Sequence, residues 1–362
     1  MYIKSIDLEK FRNYDHIHID LEKGVNIFYG ENAVGKTNIL ESIYICGTTK
    51  SHRGSKDKEI IKFDNNESHI RLLFEKNEID YQIDMHLRNN SSKGIAVNGI
   101  KLKKAAELLG IMNVILFSPE DLSIIKNGPS DRRKFVDTEL CQLDKVYLYN
   151  LTNYNKVINQ RNNLLKDIGF HPELKDTLEI WDSQLVSLGN KIIDRRKKFV
   201  DELNDIIYQI HKNLTGNKED LLIKYAPNVE IEYFEEKLLK NREKDIKYKL
   251  TSVGPHRDDF DFFINNNDAK KFGSQGQQRT VALSLKLSEI QLIKNITGNT
   301  PILLLDDVLS ELDSNRQNYL INSIGDIQTI ITCTGLDEFI DSRIKMDTVY
   351  KVRDNRLYKG EN

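Results

Sequence analysis

The sequence predicts an α/β fold of mixed sheets and helices that is interrupted by an inserted, mainly helical domain. Three observations predict it. Residues 30–37, GENAVGKT, match the phosphate-loop pattern G-x-x-x-x-G-K-[ST], with an apolar strand before them and a helical run after them. An apolar strand at residues 302–305 ends in two aspartates. Between these motifs, residues 130–210 repeat apolar side chains at helical spacing, so the helices form an insert within the α/β part.

The composition predicts a soluble protein with about two domains. The chain has 362 residues, of which 30% are charged and 39% hydrophobic, as in globular proteins. No apolar run approaches the roughly 20 residues that span a bilayer, and the N-terminus lacks the features of a secretion signal. Cys46, Cys141 and Cys333 form no C-x-x-C pair. We therefore expect a cytoplasmic protein with reduced thiols and no membrane partner.

The order of these patterns predicts three segments. Residues 1–120 are expected to form the N-terminal part of a head domain, with strands, the phosphate loop and a β-hairpin over residues 68–87. Residues 121–247 are expected to form a lid, in which two helices of about thirty residues pair as an antiparallel hairpin. Residues 248–362 return to strands and turns and complete the head.

The phosphate loop predicts how a nucleotide is held. Its glycines let backbone N–H groups face the phosphates, and the following helix directs its positive end at the same anion. Lys36 is placed to reach the β- and γ-phosphates, and the Thr37 hydroxyl to bind Mg²⁺. The predicted nucleotide ligands from this segment are Gly30, Glu31, Asn32, Ala33, Val34, Gly35, Lys36, Thr37 and Asn38.

Two acids after the later apolar strand complete the predicted site. In a parallel sheet, Asp306 and Asp307 lie at the C-terminal edge, where ligands bind. We expect Asp306 to hold Mg²⁺ through water, and Asp307 to orient or deprotonate the water that attacks the γ-phosphate. A strand that ends in two acids is a weak signal by itself, and it becomes strong after a phosphate loop.

A second anion site is predicted at residues 274–278, SQGQQ. A hydroxyl, a flexible glycine and a helix N-terminus are again the features that bind anions. One nucleotide does not need two such helix ends from one chain. We therefore expect Ser274, Gly276 and Gln277 to act on the nucleotide of a second subunit in a symmetric homodimer. The alternative is an ordinary helix with Ser274 as its N-cap.

Two basic runs in the predicted lid are candidates for DNA contact. The net charge of the chain is −2, so a nucleic-acid surface has to come from a local patch. The alternative is a solvated helix face. The candidate side chains are Arg132, Arg133, Arg195, Arg196, Lys197 and Lys198.

Seven motifs together resemble a known family. They are FRNY, GENAVGKTN, SPEDL, DRRKFVD, GPHRDD, SQGQQR and ILLLDDVLSELD. In combination, and along the whole chain, they are similar to the ABC-type ATPases of DNA repair and most closely to the RecF family. The resemblance implies an ABC-like head with a helical lid, ATP and Mg²⁺ as cofactors, and an ATP-dependent homodimer that binds DNA. It also implies slow, DNA-stimulated hydrolysis and cooperation with RecR and RecO in loading RecA at gapped DNA.

The resemblance also implies roles for single residues. Asp313 corresponds to an acid that crosses the dimer interface near the partner's site, and Arg12 and Asn13 are implied to lie beside the nucleotide. Where transporter-type relatives have a switch histidine, this chain has threonine and cysteine at residues 332–334.

Two further departures concern catalysis. Asp307 stands where many relatives carry glutamate, and the SPED segment offers no glutamine. Because phosphoryl transfer depends on positioning, the shorter side chain of Asp307 and the missing switch histidine both predict weak turnover. ATP then acts mainly as a ligand that promotes dimerisation, and less as a source of free energy from hydrolysis.

Three alternatives remain open from the sequence. A nucleotide-binding subunit of a membrane transporter shares the motifs, but this chain lacks the switch histidine and its insert is longer than expected. A chromosome-organising SMC-like head carries arms of hundreds of residues, whereas helices of about thirty residues span only about 45 Å. A binding module with an inactive ATP site is compatible with the weak base.

Overall fold

The structure, a computed structural model, describes residues 1–336 and 346–360. Its strands are β1 Tyr2–Phe11, β2 Tyr14–Asp20, β3 Val25–Tyr29, β4 Glu67–Lys76, β5 Ile79–Arg88, β6 Gly94–Val97, β7 Ile100–Lys101, β8 Val114–Phe117, β9 Leu221–Ala226, β10 Asp259–Ile264, β11 Asn267–Asp268, β12 Ile302–Asp306, β13 Thr329–Cys333, β14 Thr348–Arg353 and β15 Arg356–Lys359. Its helices are α1 Lys36–Thr48, α2 Asp57–Ile60, α3 Leu122–Lys126, α4 Pro129–Leu143, α5 Lys145–Asp167, α6 Leu178–Leu214, α7 Phe234–Lys240, α8 Arg242–Tyr248, α9 Ala269–Phe272, α10 Gln275–Thr297 and α11 Ser314–Ile324.

The N-terminal strands form an antiparallel sheet in the order β2-β1-β4-β5-β6-β7. The predicted hairpin over residues 68–87 is confirmed as β4 and β5. Asn77 and Glu78 connect them with φ values of 53° and 62°. Such left-handed residues match the twist of the flanking strands in a two-residue hairpin loop.

A second sheet of six strands, in the order β15-β14-β3-β13-β12-β8, carries the predicted nucleotide motifs. Five of its strands run parallel, and β15 is an antiparallel edge strand. Because β3, β12 and β13 run in the same direction, the phosphate loop after β3 and the acids at the end of β12 reach the same edge of the sheet. One apolar core joins both sheets and α1.

The helical part differs in detail from the prediction. The expected pair of similar helices is an α5 of 23 residues and an α6 of 37 residues, and a separate helix, α4, precedes them. Asp144 makes the break, because its carboxylate accepts the backbone N–H groups of Val146 and Tyr147 at 2.8 and 2.9 Å. An aspartate that binds free N–H groups in this way starts a new helix.

The chain divides into two compact units, Met1–Asp121 with Lys286–Asn362, and Leu122–Leu285. The first boundary lies at the predicted start of the lid, and the second lies at residue 285 instead of 247. Residues 248–285 group with the helices because β10 pairs with β9 and α4 binds the start of β10. The predicted α/β fold with mixed sheets and an inserted helical part is confirmed. None of the described helices is long and apolar enough to cross a bilayer.

Candidate nucleotide-binding site

The phosphate loop connects β3 to α1 and requires glycine at both ends. Gly35 has φ of 106°, a conformation that residues with a Cβ rarely adopt. A Cβ at Gly35 would collide with the side chains of Asn13 and Tyr14, and a Cβ at Gly30 would collide with the carbonyl of Val352. The glycines therefore let the loop lie close to its neighbours.

Lys36 is the most informative side chain of the loop. It is 4% exposed, and its Nζ donates to the carbonyl oxygens of Gly30 at 2.8 Å and Glu31 at 2.9 Å. Among residues 1–336 and 346–360, no carboxylate forms an ion pair with it. Burying an ammonium group without a counter-charge is costly. The loop therefore fits an anionic ligand.

Thr37 and Asp306 lie together at the sheet edge. The Thr37 hydroxyl donates to Asp306 Oδ1 at 2.8 Å, and the Thr332 hydroxyl on β13 donates to the same oxygen at 2.7 Å. Burial raises the pKa of Asp306, and the two hydroxyl bonds act against that rise. A hydroxyl beside a carboxylate fits Mg²⁺, which takes few protein ligands and completes its shell with phosphate oxygens and water.

Asp307 has a strained backbone next to this pair. Its φ is 51°, in the left-handed region that few residues other than glycine adopt. Its N–H donates to the Thr332 carbonyl and hydroxyl oxygens, both at 3.2 Å. Thr332 therefore links the ends of β12 and β13. This geometry holds Asp307 half-buried at the sheet edge.

Asn13 and Arg12 occupy different places near the loop. Asn13 accepts from the Asn38 amide at 2.7 Å and donates to the Val34 carbonyl at 3.3 Å, so it contacts the phosphate loop directly. Arg12 instead binds Glu41 on α1 with two hydrogen bonds of 2.8 and 2.6 Å. Since Glu41 is fully buried, the Arg12 guanidinium neutralises it in this structure.

Sequence analysis did not single out two other side chains at the loop. The Tyr14 hydroxyl donates to the Gly35 carbonyl at 3.1 Å, and Arg53 Nη1 donates to Asn38 Oδ1 at 3.2 Å. Arg53 belongs to a polar, basic run after α1. The basic run is visible in the sequence, but the sequence does not show that Arg53 of this run contacts Asn38 on α1.

Ser274 forms the N-terminus of α10 in the helical unit. Its hydroxyl accepts the Gln277 N–H at 3.3 Å, and its N–H donates to Gln277 Oε1 at 2.9 Å. This reciprocal pair is a capping box, so within one chain Ser274 acts as the N-cap of α10, and its action on a second subunit stays a prediction. Ser274 nevertheless remains exposed. A Cβ at Gly276 would find no atom closer than 4.0 Å, so this helix end is open to another molecule.

Asp313 likewise caps a helix. Its carboxylate accepts the Arg316 N–H at 3.0 Å at the start of α11 and pairs with the guanidinium of the same residue. Half of its side chain, 52%, remains exposed. Within one chain, its role is therefore the start of α11.

Comparison with known proteins identifies the family of this chain. The family model described as RecF/RecN/SMC N terminal domain matches residues 2–357. A relative from Lachnospira eligens, DNA replication and repair protein RecF, is 61% identical over 359 residues, 99% of each chain. The chain belongs to the RecF family. Its relative of the same name from Agathobacter rectalis is 59% identical over 352 residues, 97% of each chain.

Solved structures agree with this assignment. Two structures of the recombination mediator protein RecF in the RecFOR pathway, one with ATP and one with ATPrS, are 38% identical to this chain. Their TM-scores are 0.91 and 0.92, over 99% of this chain and at least 98% of theirs. An Smc head domain from Pyrococcus furiosus, 17% identical with a TM-score of 0.56, shares the fold. The predicted ABC-type head is confirmed.

In this RecF-family chain, two predicted DNA contacts are wrong. Arg132 and Arg196 are only 4% and 1% exposed. Arg132 binds Asp259 at 2.6 and 3.0 Å. Arg196 forms ion pairs of 2.8 Å with Asp137 and 2.9 Å with Asp258. Both guanidinium groups point into the protein, because a basic run on a helix has members on its buried face as well as on its exposed face.

The remaining basic candidates differ in their exposure and in their ion pairs. Arg195 is partly buried and pairs with Asp144 at 3.0 Å, and exposed Lys198 pairs with Asp194 at 2.8 Å. Lys197 and Arg133 have no carboxylate partner within residues 122–285, which the structure describes completely. A DNA surface built from these runs is therefore much smaller than predicted.

The burial of Arg196 leads to a stability prediction. Arg196→Ala leaves the fully buried carboxylate of Asp258 and the partly buried carboxylate of Asp137 without their cation, so we expect a loss of about 3–5 kcal/mol in the free energy of unfolding. Lys197→Ala, one residue away and exposed, is the matched control and should change it by less than about 0.5 kcal/mol. Urea unfolding of both variants measures this. Equal stability of the two variants would contradict the buried ion-pair assignment.

Proposed function

We propose that this chain is an ATP-dependent, DNA-binding switch of recombinational repair and replication restart. It binds ATP and Mg²⁺, forms a homodimer around the nucleotide, hydrolyses it slowly and helps load a recombinase at gapped or damaged DNA. The observation that carries the proposal is Lys36 of the phosphate loop, a buried cation that pairs with no carboxylate of the part of the chain that the structure describes. The hydroxyl and carboxylate pair of Thr37 and Asp306 lies directly beside that loop.

The nucleotide site follows from the loop geometry. On ATP binding, we expect the Lys36 ammonium to exchange its carbonyl partners for β- and γ-phosphate oxygens, which carry the compensating charge. Backbone N–H groups of residues 31–37 complete the anion site. Thr37 and Asp306 hold Mg²⁺ against the same phosphates. The related RecF structures with ATP and ATPrS support this choice of ligand.

The dimer follows from the exposed end of α10. A symmetric pair places Ser274, Gly276 and Gln277 of one subunit on the γ-phosphate held by the other. Asp313 contributes to the same interface, and Asn13 stays with the nucleotide of its own chain. Because each ATP contacts both subunits in the dimer, ATP binding shifts the monomer–dimer equilibrium toward the dimer. Hydrolysis of ATP shifts the equilibrium back toward the monomer.

Slow turnover is supported by the positions of the acids. Asp307 is the candidate base, and its side chain is one methylene shorter than glutamate. Residues 332–334 stand where transporter-type relatives carry the switch histidine, and they offer no imidazole to the γ-phosphate. The Thr332 hydroxyl donates to Asp306 instead. Positioning of the attacking water is therefore less complete.

Partners are proposed from the family. The relatives are DNA replication and repair proteins, and the solved neighbours belong to the RecFOR pathway. We propose DNA with single-stranded gaps, RecR as the direct protein partner, and RecO and RecA as later partners. Family membership over almost the whole chain favours this function over the transporter subunit and the SMC-like head.

The molecular mass of the protein in solution, with and without ATP, tests the proposed ATP-dependent dimerisation. We expect a monomer without nucleotide and a dimer with saturating ATP and Mg²⁺, in light-scattering measurements on the free chain and on gapped duplex. If monomers persist under saturating ATP, Mg²⁺ and gapped DNA, the switch is wrong even if ATP binds.

Asp307→Asn tests whether the site turns over. A neutral amide does not accept a proton from water, so we expect steady-state phosphate release to fall about 100-fold, with ATP binding retained. Asp326→Asn, the same change at an exposed acid, should leave the rate unchanged. A wild-type rate no higher than that of Asp307→Asn would instead support a binding module with an inactive ATP site.

A further inference from the structure

A cavity of about 280 Å³ lies within the helical unit. Helices α4, α5 and α6 and the turn at residues 254–259 line it. That turn is the GPHRDD motif, and the nucleotide site leaves the motif without a function. Most of its polar groups are engaged inside the protein, since the Asp258 carboxylate binds Arg196 and Asp259 binds Arg132. The motif therefore builds the wall of this cavity.

The floor of the cavity is apolar and uncharged. Leu151, Tyr154 and Ile192 contribute to it. His256 Nε2 donates to the Thr251 carbonyl at 3.0 Å, so its Nδ1 accepts the Tyr154 hydroxyl at 2.9 Å. Burial lowers the pKa of His256 to about 4, and the ring is neutral at physiological pH. Both of its nitrogens are already used.

The rim of the cavity carries unbalanced positive charge. Three cations, Arg133, Lys134 and Arg196, line the cavity with one carboxylate, Asp137. Asp137 and Arg196 already pair at 2.8 Å. Arg196 also pairs with Asp258 at 2.9 Å, and the Asp258 charge acts on Arg133 as well, so one positive charge, that of the exposed Lys134, is unbalanced at the rim.

Arg133 differs from the other buried or half-buried arginines of this unit in its ion pairs. Within the fully described residues 122–285, all other buried or half-buried arginines bind at least one carboxylate. Arg133 instead donates Nη1 to the Asp258 backbone carbonyl at 2.6 Å. Burial, followed by the neighbouring charge of Arg196, lowers its pKa. The charges of Asp137, Asp258 and Asp259 act on Arg133 only from beyond ion-pair distance, so its guanidinium can still form a direct bond to a carboxylate of another molecule.

We propose that this cavity, the Arg133 pocket, binds an acidic, hydrophobic peptide segment of a partner protein. A carboxylate of the peptide pairs with Arg133 and Lys134, and a neighbouring aliphatic or aromatic side chain packs on Leu151 and Ile192. The cavity is at the small end of ligand pockets, which measure about 300–1,000 Å³. That size suits one side chain and its neighbouring carboxylate.

A peptide fits the pocket better than a nucleic acid does. Binding of single strands relies on exposed aromatic faces for base stacking, and Tyr154, the aromatic ring of the floor beside His256, is only 1% exposed. A phosphate backbone also requires a row of unpaired cations along a groove. Here the free cations converge on one cavity, and Asp137 stands in its wall. The proposal does not depend on ATP binding or on dimerisation.

A labelled peptide pool tests the proposal with the full-length chain. The pool consists of decapeptides with Asp or Glu at even positions and Leu, Ile, Phe, Tyr or Trp at odd positions. We expect the immobilised protein to retain part of this pool in low salt, and a pool with Asn and Gln in place of the acids to pass through. The variant R133Q/K134Q should retain about tenfold less or lower still, because the charge-assisted bonds are lost.

Two further variants make the outcome decisive. Ser130→Trp adds bulk at the rim without changing charge and should also reduce retention. Lys197→Gln removes an exposed charge of α6 away from the pocket lining and should not. Thermal melting checks that the variants fold; Arg133→Gln keeps an amide donor for the Asp258 carbonyl.

Three outcomes would overturn the proposal. Wild-type protein could retain no peptide, or R133Q/K134Q could retain as much as wild type. A third is that R133Q/K134Q loses affinity for a labelled single-stranded oligonucleotide while peptide retention is unchanged. That result would assign the pocket to nucleic acid.

Discussion

Lys36→Arg is expected to reduce steady-state phosphate release by about 100-fold or more, because phosphoryl transfer depends on charge placed at the γ-phosphate. Guanidinium is planar and larger than ammonium. The Lys36 ammonium fills a buried space between the carbonyls of Gly30 and Glu31, so the arginine has to displace the loop or point elsewhere. ATP binding can persist while the γ-phosphate is misplaced.

The control for this experiment is Lys101→Arg, the same change at an exposed lysine of the edge strand β7. It should release phosphate at the wild-type rate. Labelled ATP in a filter-binding assay separates lost binding from lost turnover. Wild-type turnover by Lys36→Arg would remove Lys36 from the proposed site, and with it the observation on which the function depends.

Ser274→Arg is expected to abolish ATP-dependent dimerisation while each chain still binds ATP. The Ser274 hydroxyl is exposed at the N-terminus of α10, next to the open space at Gly276. An arginine there fills the space in which the partner's γ-phosphate is proposed to bind, and it removes the capping hydroxyl. Light scattering with ATP should show monomers for Ser274→Arg and dimers for Ser187→Arg, an exposed position on α6.

Mixing variants tests the composite site directly. A heterodimer of Lys36→Arg and Ser274→Arg chains contains one site with both residues intact and one with both changed. We therefore expect the mixture to release phosphate faster than either variant alone. Normal dimerisation by Ser274→Arg would contradict the action of this serine on a second subunit, whatever the mixture does.

The phosphate loop and the two acids after β12 could be predicted from sequence because their motifs are local. Residues 30–37 connect a strand to a helix in eight consecutive positions, and the glycine, lysine and threonine follow from that turn. Asp306 and Asp307 follow from an apolar strand of four residues. Their common edge follows from the parallel direction of β3 and β12, which a chain that alternates strands and helices already suggests.

The helical unit shows where local patterns stop being sufficient. The periodicity of residues 130–210 identified the helices, but the break at Asp144 depends on one side chain that binds two N–H groups. The basic runs indicated exposed cations, and Arg196 is buried because Asp137 and Asp258 lie at its side. Asp258 is 62 residues away in the chain.

By itself, the sequence determined the family motifs, the phosphate loop, the two acids after the apolar strand and the insertion of a helical part. These features are encoded by residues that are close together in the chain, where backbone geometry and helical or strand spacing set the outcome. The tertiary structure alone decided that Thr332 binds Asp306, that Arg12 neutralises Glu41, and that Arg133 forms no ion pair with a carboxylate of the described residues. Those outcomes depend on which distant elements pack together, because burial and counter-charges are properties of the packed elements and not of the local sequence.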